Sequence, residues 1–452
     1  MMLRWLDDRL GTATWARKGL RKIFPDHWSF LLGEVALFCF VILVATGTFL
    51  TLFYRPDATP VTYDGPYAPL QGAEMSSAYA SVMRLSFEVR AGLVMRQVHH
   101  WAALVFVAVI VLHIGRVFFT GAYRRPREIN WLIGIGLLLF SIGMGFTGYS
   151  LPDDLLSGTG LRIAYSVMIS IPFLGPYLGF LVFGGEFPTE GIISRLFVMH
   201  VMLLPALLIA LISLHLLFVV RQKHTQFKGP GRTEGNVIGK PLWPSQTFRS
   251  IGLMLITAAL LSLMGGLIQI NPVWNYGPFD ATTVSAPSQP DWYVGWLDGA
   301  LRLFPPIEFT VLGVTIPSSF LPGVVIPGIT FGLLTLWPFI ETRVTGDRRE
   351  HHLLDDPRDA PLRTAVGVAG LTFFVILTLA AGNDVFALIF RSSVEATTWL
   401  FRIGLLVAPP TAGYIAYRLC AELKATGAHP FARGRGVYLR RNSRGGFDET
   451  GP

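Results

Sequence analysis

Apolar residues in this chain gather in long runs separated by polar, proline- and glycine-rich stretches. Eight runs, at roughly 30–54, 95–119, 130–150, 196–220, 250–270, 321–340, 363–381 and 397–420, approach or exceed span length. A helix needs about 20 apolar residues to cross about 30 Å of hydrocarbon. The pattern predicts an all-α, polytopic membrane protein with eight transmembrane helices. A further apolar run, ISIPFLGPYLGFLV at 171–184, is interrupted by Pro172, Pro176 and glycines and predicts an interfacial or re-entrant element. Residues 1–29 are basic, with Trp5, Trp15 and Trp28, and read as a cytoplasmic surface segment rather than a cleavable signal peptide. The division that follows is 1–29, a four-helix bundle at 30–220, a loop at 221–249, a second four-helix membrane domain at 250–420, and a basic, flexible tail at 421–452.

Charge fixes the expected orientation. With eight spans both termini share one side, and most of the 37 Lys and Arg residues fall there: in the N-terminal segment, in the loops after the second, fourth and sixth helices, and in the tail. Basic residues mark the cytoplasmic side, so both termini are expected in the cytoplasm. The net charge of +8 then needs no nucleic acid to account for it. The two cysteines, Cys39 and Cys420, both lie in apolar runs, and no CxxCH motif is present. A disulfide framework, an iron–sulfur cluster and a c-type haem on this chain are therefore not expected.

Four histidines stand inside two of the runs. His99 and His113 are fourteen residues apart, and His200 and His215 fifteen apart. Either interval is about four helical turns, placing each pair on one face and about 21 to 22 Å apart along the axis. The second and fourth helices run in the same direction, so His99 pairs with His200 near the outer face and His113 with His215 near the cytoplasmic face. Imidazole is a good axial ligand of haem iron, and two of them close the iron to oxygen. The expected arrangement is two bis-histidine b haems stacked across the bilayer inside the first four helices. His100 competes with His99 but lies about 100° round the helix and matches the face less well. Gly33 and Gly47 on the first helix, and Gly134 and Gly148 on the third, repeat the fourteen-residue interval. A missing side chain at those depths would admit a flat macrocycle. Arg96 and Arg116 flank the first His pair and suit haem propionates. Glu34, beside Gly33, is an intramembrane acid and a candidate for proton delivery, with Arg249 as an alternative local partner.

With these features in place, ATGTFLTLFY, VHHW…LHIGR, GYSLPDD and SQPDWYVGWLDGALRLFPP, in that order within about residues 25 to 420, resemble cytochrome b of the quinol:cytochrome c reductase (bc1/b6f) family. The fifteen-residue interval resembles the b6 branch. PDWY with its polar surroundings, and RQKHTQFKGPGRTEGNV, look most like the actinobacterial, menaquinol-oxidising form. The resemblance implies a respiratory quinol:cytochrome c reductase subunit in a prokaryotic plasma membrane. It would oxidise (mena)quinol at the outer face and pass electrons through two b haems to an inner quinone and to a Rieske iron–sulfur partner, coupled to proton translocation. A cytochrome c subunit (dihaem in the actinobacterial form), a terminal cytochrome oxidase supercomplex and a homodimer are the further partners it implies. It makes His99, His113, His200 and His215 the iron ligands. It places Pro290, Asp291, Trp292, Tyr293 and Tyr149 at the outer quinol site, with Asp one methylene shorter than the family's Glu. The family's histidine five residues after the last ligand is replaced by Val220, leaving Arg221 and His224 as inner-site candidates. Leu31 stands where the b6 branch attaches an extra haem, so none is expected. The alternatives are a haem b anchor of a dehydrogenase or hydrogenase, which would lack PDWY and the paired glycines, and a transporter, which would carry its polar residues at the midplane.

Overall fold

A computed structural model describes residues 5, 7–9, 11, 13, 19–283, 289–426, 438–441 and 447–450. Part of the expected N-terminal surface segment and most of the tail after Thr426 therefore lie outside the described residues. The described chain is mostly helical, with these principal helices: α1 (Leu32–Thr51), α2 (Ser77–Phe87), α3 (Gly92–Phe119), α4 (Glu128–Tyr149), α5 (Leu155–Ile169), α6 (Gly175–Phe183), α7 (Ile192–Arg221), α8 (Thr247–Leu267), α9 (Trp292–Leu303), α10 (Ile326–Thr345), α11 (Pro361–Ala380), α12 (Asn383–Phe390) and α13 (Val394–Thr426).

Among the described residues seven helices are long and apolar enough to cross a membrane: Trp28–Thr51, Gly92–Phe119, Glu128–Tyr149, Ile192–Arg221, Leu242–Leu267, Leu321–Thr345 and Pro361–Ala380. Their outward faces stay apolar: Met202, Ile209 and Leu217 on α7 and Leu255 and Leu263 on α8 are more than half exposed or close to it. A helix that is apolar all round yet buries little against protein is one solvated by lipid. The run at 397–420, expected as the eighth span, is helical within α13. At 33 residues it has the length, but Arg402, Arg418 and the Pro409–Pro410 pair make it more polar, and it does not stand among the seven. It lies close along α11, where a Cβ on Gly413 would stand 3.1 Å from the Ala365 carbonyl oxygen and the Ala369 methyl.

Helices α1, α3, α4 and α7 surround a core of Ala36, Cys39, Phe40, Val98, Ala102, Phe106, Ile110, Leu138 and Leu208, to which α8 adds Leu261. This core lies midway between the two histidine levels. At the His99 end, the strands Pro60–Thr62 and Glu74–Ser76 pair antiparallel and pack with α2 around Tyr63, Met75 and Tyr79. The interrupted run at 171–184 forms α6, with Pro176 in its first turn, where the missing N–H costs nothing. It follows α5, a helix the apolar runs did not reveal. At the His113 end, Ile23–Pro25 pairs with Gly239–Pro241 and Gln226–Phe227 with Leu353–Leu354, tying the loops together.

Candidate functional site

The four histidines meet two by two. The ring centres of His99 and His200 are 6.3 Å apart with planes at 71°, and those of His113 and His215 are 6.4 Å apart at 74°. Metal–imidazole bonds run about 2.0–2.1 Å and a ring nitrogen sits about 1.1 Å from the ring centre, so two imidazoles on opposite sides of one metal ion stand about 6.2–6.4 Å apart. Both pairs fit that spacing. Among the described residues no group of three or more His, Cys, Asp or Glu could hold a metal ion. The spacing of each pair suits a metal ion between two imidazoles, its remaining ligands supplied by a bound group.

The fifteen-residue interval has a local cause. Met199–Leu203 is a π-helical turn within α7, centred on the His200 end of the interval. A π turn takes up one extra residue, so His200 and His215 keep nearly the face and rise of the fourteen-residue pair on α3.

The glycines do something more specific than admit a macrocycle: each faces an imidazole. A Cβ on Gly47 would stand 3.1 Å from His99 Cε1, on Gly33 3.4 Å from His113 Cε1, and on Gly134 3.8 Å from His215 Cε1. On Gly148 it would collide with His200 Cε1. The rings thus lie against bare backbone on the neighbouring helix. Thr46 Oγ1 is 2.9 Å from His99 Nδ1, and Thr147 Oγ1 is 3.1 Å from His200 Nδ1.

Each pair opens on a cavity of about 440 Å³. Phe106 and Ser141 line both and so form part of the partition. Arg96 and Arg116 are placed one at each level, each lining its cavity. Arg96 donates from one terminal nitrogen to the Asn271 carbonyl at 3.0 Å, while its Nε and second terminal nitrogen are buried without a partner. Arg116 packs over the Phe30 ring at 4.2 Å and likewise has two buried, unpartnered nitrogens. Buried guanidinium donors demand acceptors. An amphiphilic macrocycle with carboxylate arms fits the donor set, the apolar walls and the imidazole spacing together.

The His99 cavity also receives a polar cluster. Asp291 and Tyr293 line it, as does Tyr149. The Asp291 carboxylate is 3.0 and 3.1 Å from His100 Nε2 and accepts from the Tyr293 hydroxyl at 3.2 Å. A Cβ on Gly145 would come within 2.5 Å of that hydroxyl, so the glycine makes room for Tyr293. Pro290 and Trp292 do not line the cavity, and Trp292 is 40% exposed. His100, read from the sequence only as a rival of His99, is the residue missed. The signal was available: the 100° offset that removes it from the haem face turns it toward a different neighbour. Beside this cluster, Asp154 caps α5 in a capping box with Ser157. Burial pushes the carboxyls of Asp153 and Asp154 up to about 6.

At the His113 cavity, Glu34 accepts from Gln246 at 2.8 Å and from the Ser250 hydroxyl at 2.6 Å. Arg249 pairs instead with Asp26 at 2.7 Å, so the expected alternative partner is engaged elsewhere. His224 lines the cavity, its Nε2 buried without a partner, and burial pulls its pKa down to about 4. Lys223 lines it as well, whereas Arg221 does not.

Residues 104–278 match the family described as "Cytochrome b(N-terminal)/b6/petB". The chain is 51% identical over 420 residues to the cytochrome bc1 complex cytochrome b subunit of Mycobacterium tuberculosis, covering 93% of this chain and 76% of that one. It is 49% identical to the same subunit of Corynebacterium diphtheriae over 93% of this chain and 77% of the relative. For Streptomyces coelicolor the values are 46%, 99% and 82%. Among solved structures it resembles a chain of a "Hyperthermophilic respiratory Complex III", with a TM-score of 0.65 and 21% identity over 92% of this chain and 100% of that one.

Proposed function

The chain belongs to the cytochrome b family of bc1 complexes, and from that premise we propose which residues carry each part of the work. It is the cytochrome b subunit of a bacterial quinol–cytochrome c reductase, an integral membrane protein that binds haem b and quinone and works with Rieske and cytochrome c partners. The observation that carries the detailed reading is the pair of imidazole pairs, each spaced for one iron, in two separate cavities. His99 with His200, and His113 with His215, would hold two b haems, one pair to each. Gly33, Gly47, Gly134 and Gly148 let those rings lie against backbone, and Arg96 and Arg116 hold propionates. Haem b held this way supplies one-electron transfer without an open coordination site.

The quinol is oxidised at the His99 level, which faces outward. Asp291 receives a proton from a quinol hydroxyl there, while Tyr293 and Tyr149 line the headgroup's approach. Removing two electrons and two protons from the quinol provides one electron for the Rieske partner and one for a quinone at the His113 level. Glu34 and His224 serve that inner quinone, which needs protons from the cytoplasm. Arg221, away from the cavity, is set aside. The substrate is menaquinol, in line with the actinobacterial relatives. The bundle at 30–220 and the domain at 250–420 each hold four spans, α13 being the eighth, and both termini are cytoplasmic. A homodimer and association with a terminal oxidase complete the assembly.

Purification in mild detergent tests this reading. Two b-type bands in a reduced-minus-oxidised spectrum, two haem b per chain, and a co-purifying Rieske protein and cytochrome c are expected. Fewer than two haems b on this chain would overturn it.

A further inference from the structure

The two imidazole pairs are built on a repeat, and the repeat changes at one position. Thr46 precedes Gly47 on α1, and Thr147 precedes Gly148 on α4. Fourteen residues earlier on each helix, Leu32 precedes Gly33 and Ile133 precedes Gly134. Every one of these glycines backs the histidine of its level. Hydroxyls precede the glycine at the His99–His200 level alone, and both reach the ring, at 2.9 Å and 3.1 Å from Nδ1.

Both hydroxyls also have a helix carbonyl to donate to. Thr46 Oγ1 donates to the Ile42 carbonyl at 2.7 Å, and Thr147 Oγ1 to the Met144 carbonyl at 3.0 Å. A hydroxyl whose proton goes to a carbonyl presents its oxygen as an acceptor. The ring must then donate from Nδ1–H, which leaves the Nε2 lone pair for a metal. The Met144 carbonyl, 3.0 Å from His200 Nδ1, calls for the same tautomer. At the other level, neither His113 Nδ1 nor His215 Nδ1 has a hydrogen-bond partner among the described residues.

A hydrogen bond from the remote N–H of a ligating imidazole strengthens it as a donor and tunes the metal. A stronger donor favours the oxidised, more positive iron, and the threonine-to-carbonyl bond polarises the chain further. We propose that the Thr46 and Thr147 hydroxyls are tuning residues that lower the midpoint potential of the haem His99 and His200 would hold, a lowering that the His113–His215 level lacks. The proposal rests on the bis-histidine reading above.

The test is a spectrophotometric redox titration of both b bands in the purified complex carrying Thr46→Val, Thr147→Val or both. The midpoint of the His99–His200 haem should rise by enough to change its reduced-to-oxidised ratio at least threefold at the native midpoint, about 28 mV for one electron at 59 mV per decade. The other midpoint should not move, and Thr46→Ser and Thr147→Ser, which keep the hydroxyl, should restore the native value. If the double variant loses haem, Ile133→Thr decides: it adds a hydroxyl at the equivalent place and should lower the His113–His215 midpoint. Unchanged midpoints with both bands present, equal shifts in both haems, or failure of the serine variants to restore the value would overturn the inference. Absence of two b bands from the unaltered complex would overturn the bis-histidine reading, and this inference with it.

Discussion

Gly148→Ala should strip one haem and leave the other. The added Cβ would collide with His200 Cε1 and stand 3.0 Å from Nε2 and 3.1 Å from Nδ1. Carbon atoms in contact rest about 3.5–4.0 Å apart, so the ring must retreat by roughly 1 Å. The ring has little freedom to do so, since Nδ1 is held by the Thr147 hydroxyl and the Met144 carbonyl. Metal sites tolerate displacements of about 0.2 Å. Overpacking of this kind costs about 1–3 kcal/mol, and at 1.36 kcal/mol per decade this weakens retention of the His99–His200 haem about 5- to 150-fold. Gly134→Ala is the control, because its Cβ would meet His215 Cε1 at 3.8 Å, an ordinary contact. The assay is haem b per chain with a low-temperature reduced-minus-oxidised spectrum. Gly148→Ala should lose one b band while Gly134→Ala keeps both. Two full bands in Gly148→Ala, or equal losses in the two variants, would refute the account of why these glycines are glycines.

Other consequences are open to simple assays. Asp291→Asn should keep both haems and lower quinol oxidation by about 100-fold or more, the range for loss of a general base; a near-normal rate in a quinol:cytochrome c assay would contradict it. Glu34→Gln should keep quinol oxidation at the other level but slow haem reoxidation by quinone, and unchanged reoxidation transients would remove Glu34 from the inner site. The raised carboxyls of Asp153 and Asp154 bind protons in the folded state that the unfolded chain releases near its lower, ordinary pKa. Their contribution to stability is therefore complete below about pH 4 and is lost as pH rises to about 6. Asp154→Asn, which keeps the N-cap acceptor oxygen for the Ser157 N–H, should flatten the fall in thermal stability across that window; an unaltered slope would count against it.

The histidine spacing was enough to suggest two imidazole pairs, because a helix converts residue number into depth and direction with little freedom. Distances between helices are not written that way. The fifteen-residue interval resolved into a π turn at Met199–Leu203 that α7's sequence does not announce. The glycine repeat was visible, but its meaning depended on which group lay opposite: an imidazole edge rather than an open slot. His100 and Asp291 stand 191 residues apart, and only the packing of α9 against α3 brings them together. Likewise Arg249 seemed a natural partner for Glu34, yet Gln246 and Ser250 sit one turn apart on the same face and reach it, while Arg249 points to Asp26. Eight apolar runs were read as spans, and seven described helices are long and apolar enough to cross a membrane; in α13, which holds the eighth run, prolines and arginines lower the apolarity without breaking the helix.

The central claim is that four named imidazoles hold two irons in pairs. Near-infrared magnetic circular dichroism, which reports axial ligands directly, should be read on the purified complex and on His200→Ala and His215→Ala. The account predicts two low-spin bis-imidazole haems per chain, with each substitution removing the signature of one haem and leaving the other. A single bis-imidazole haem in the unaltered complex, or one substitution abolishing neither signature, would contradict it.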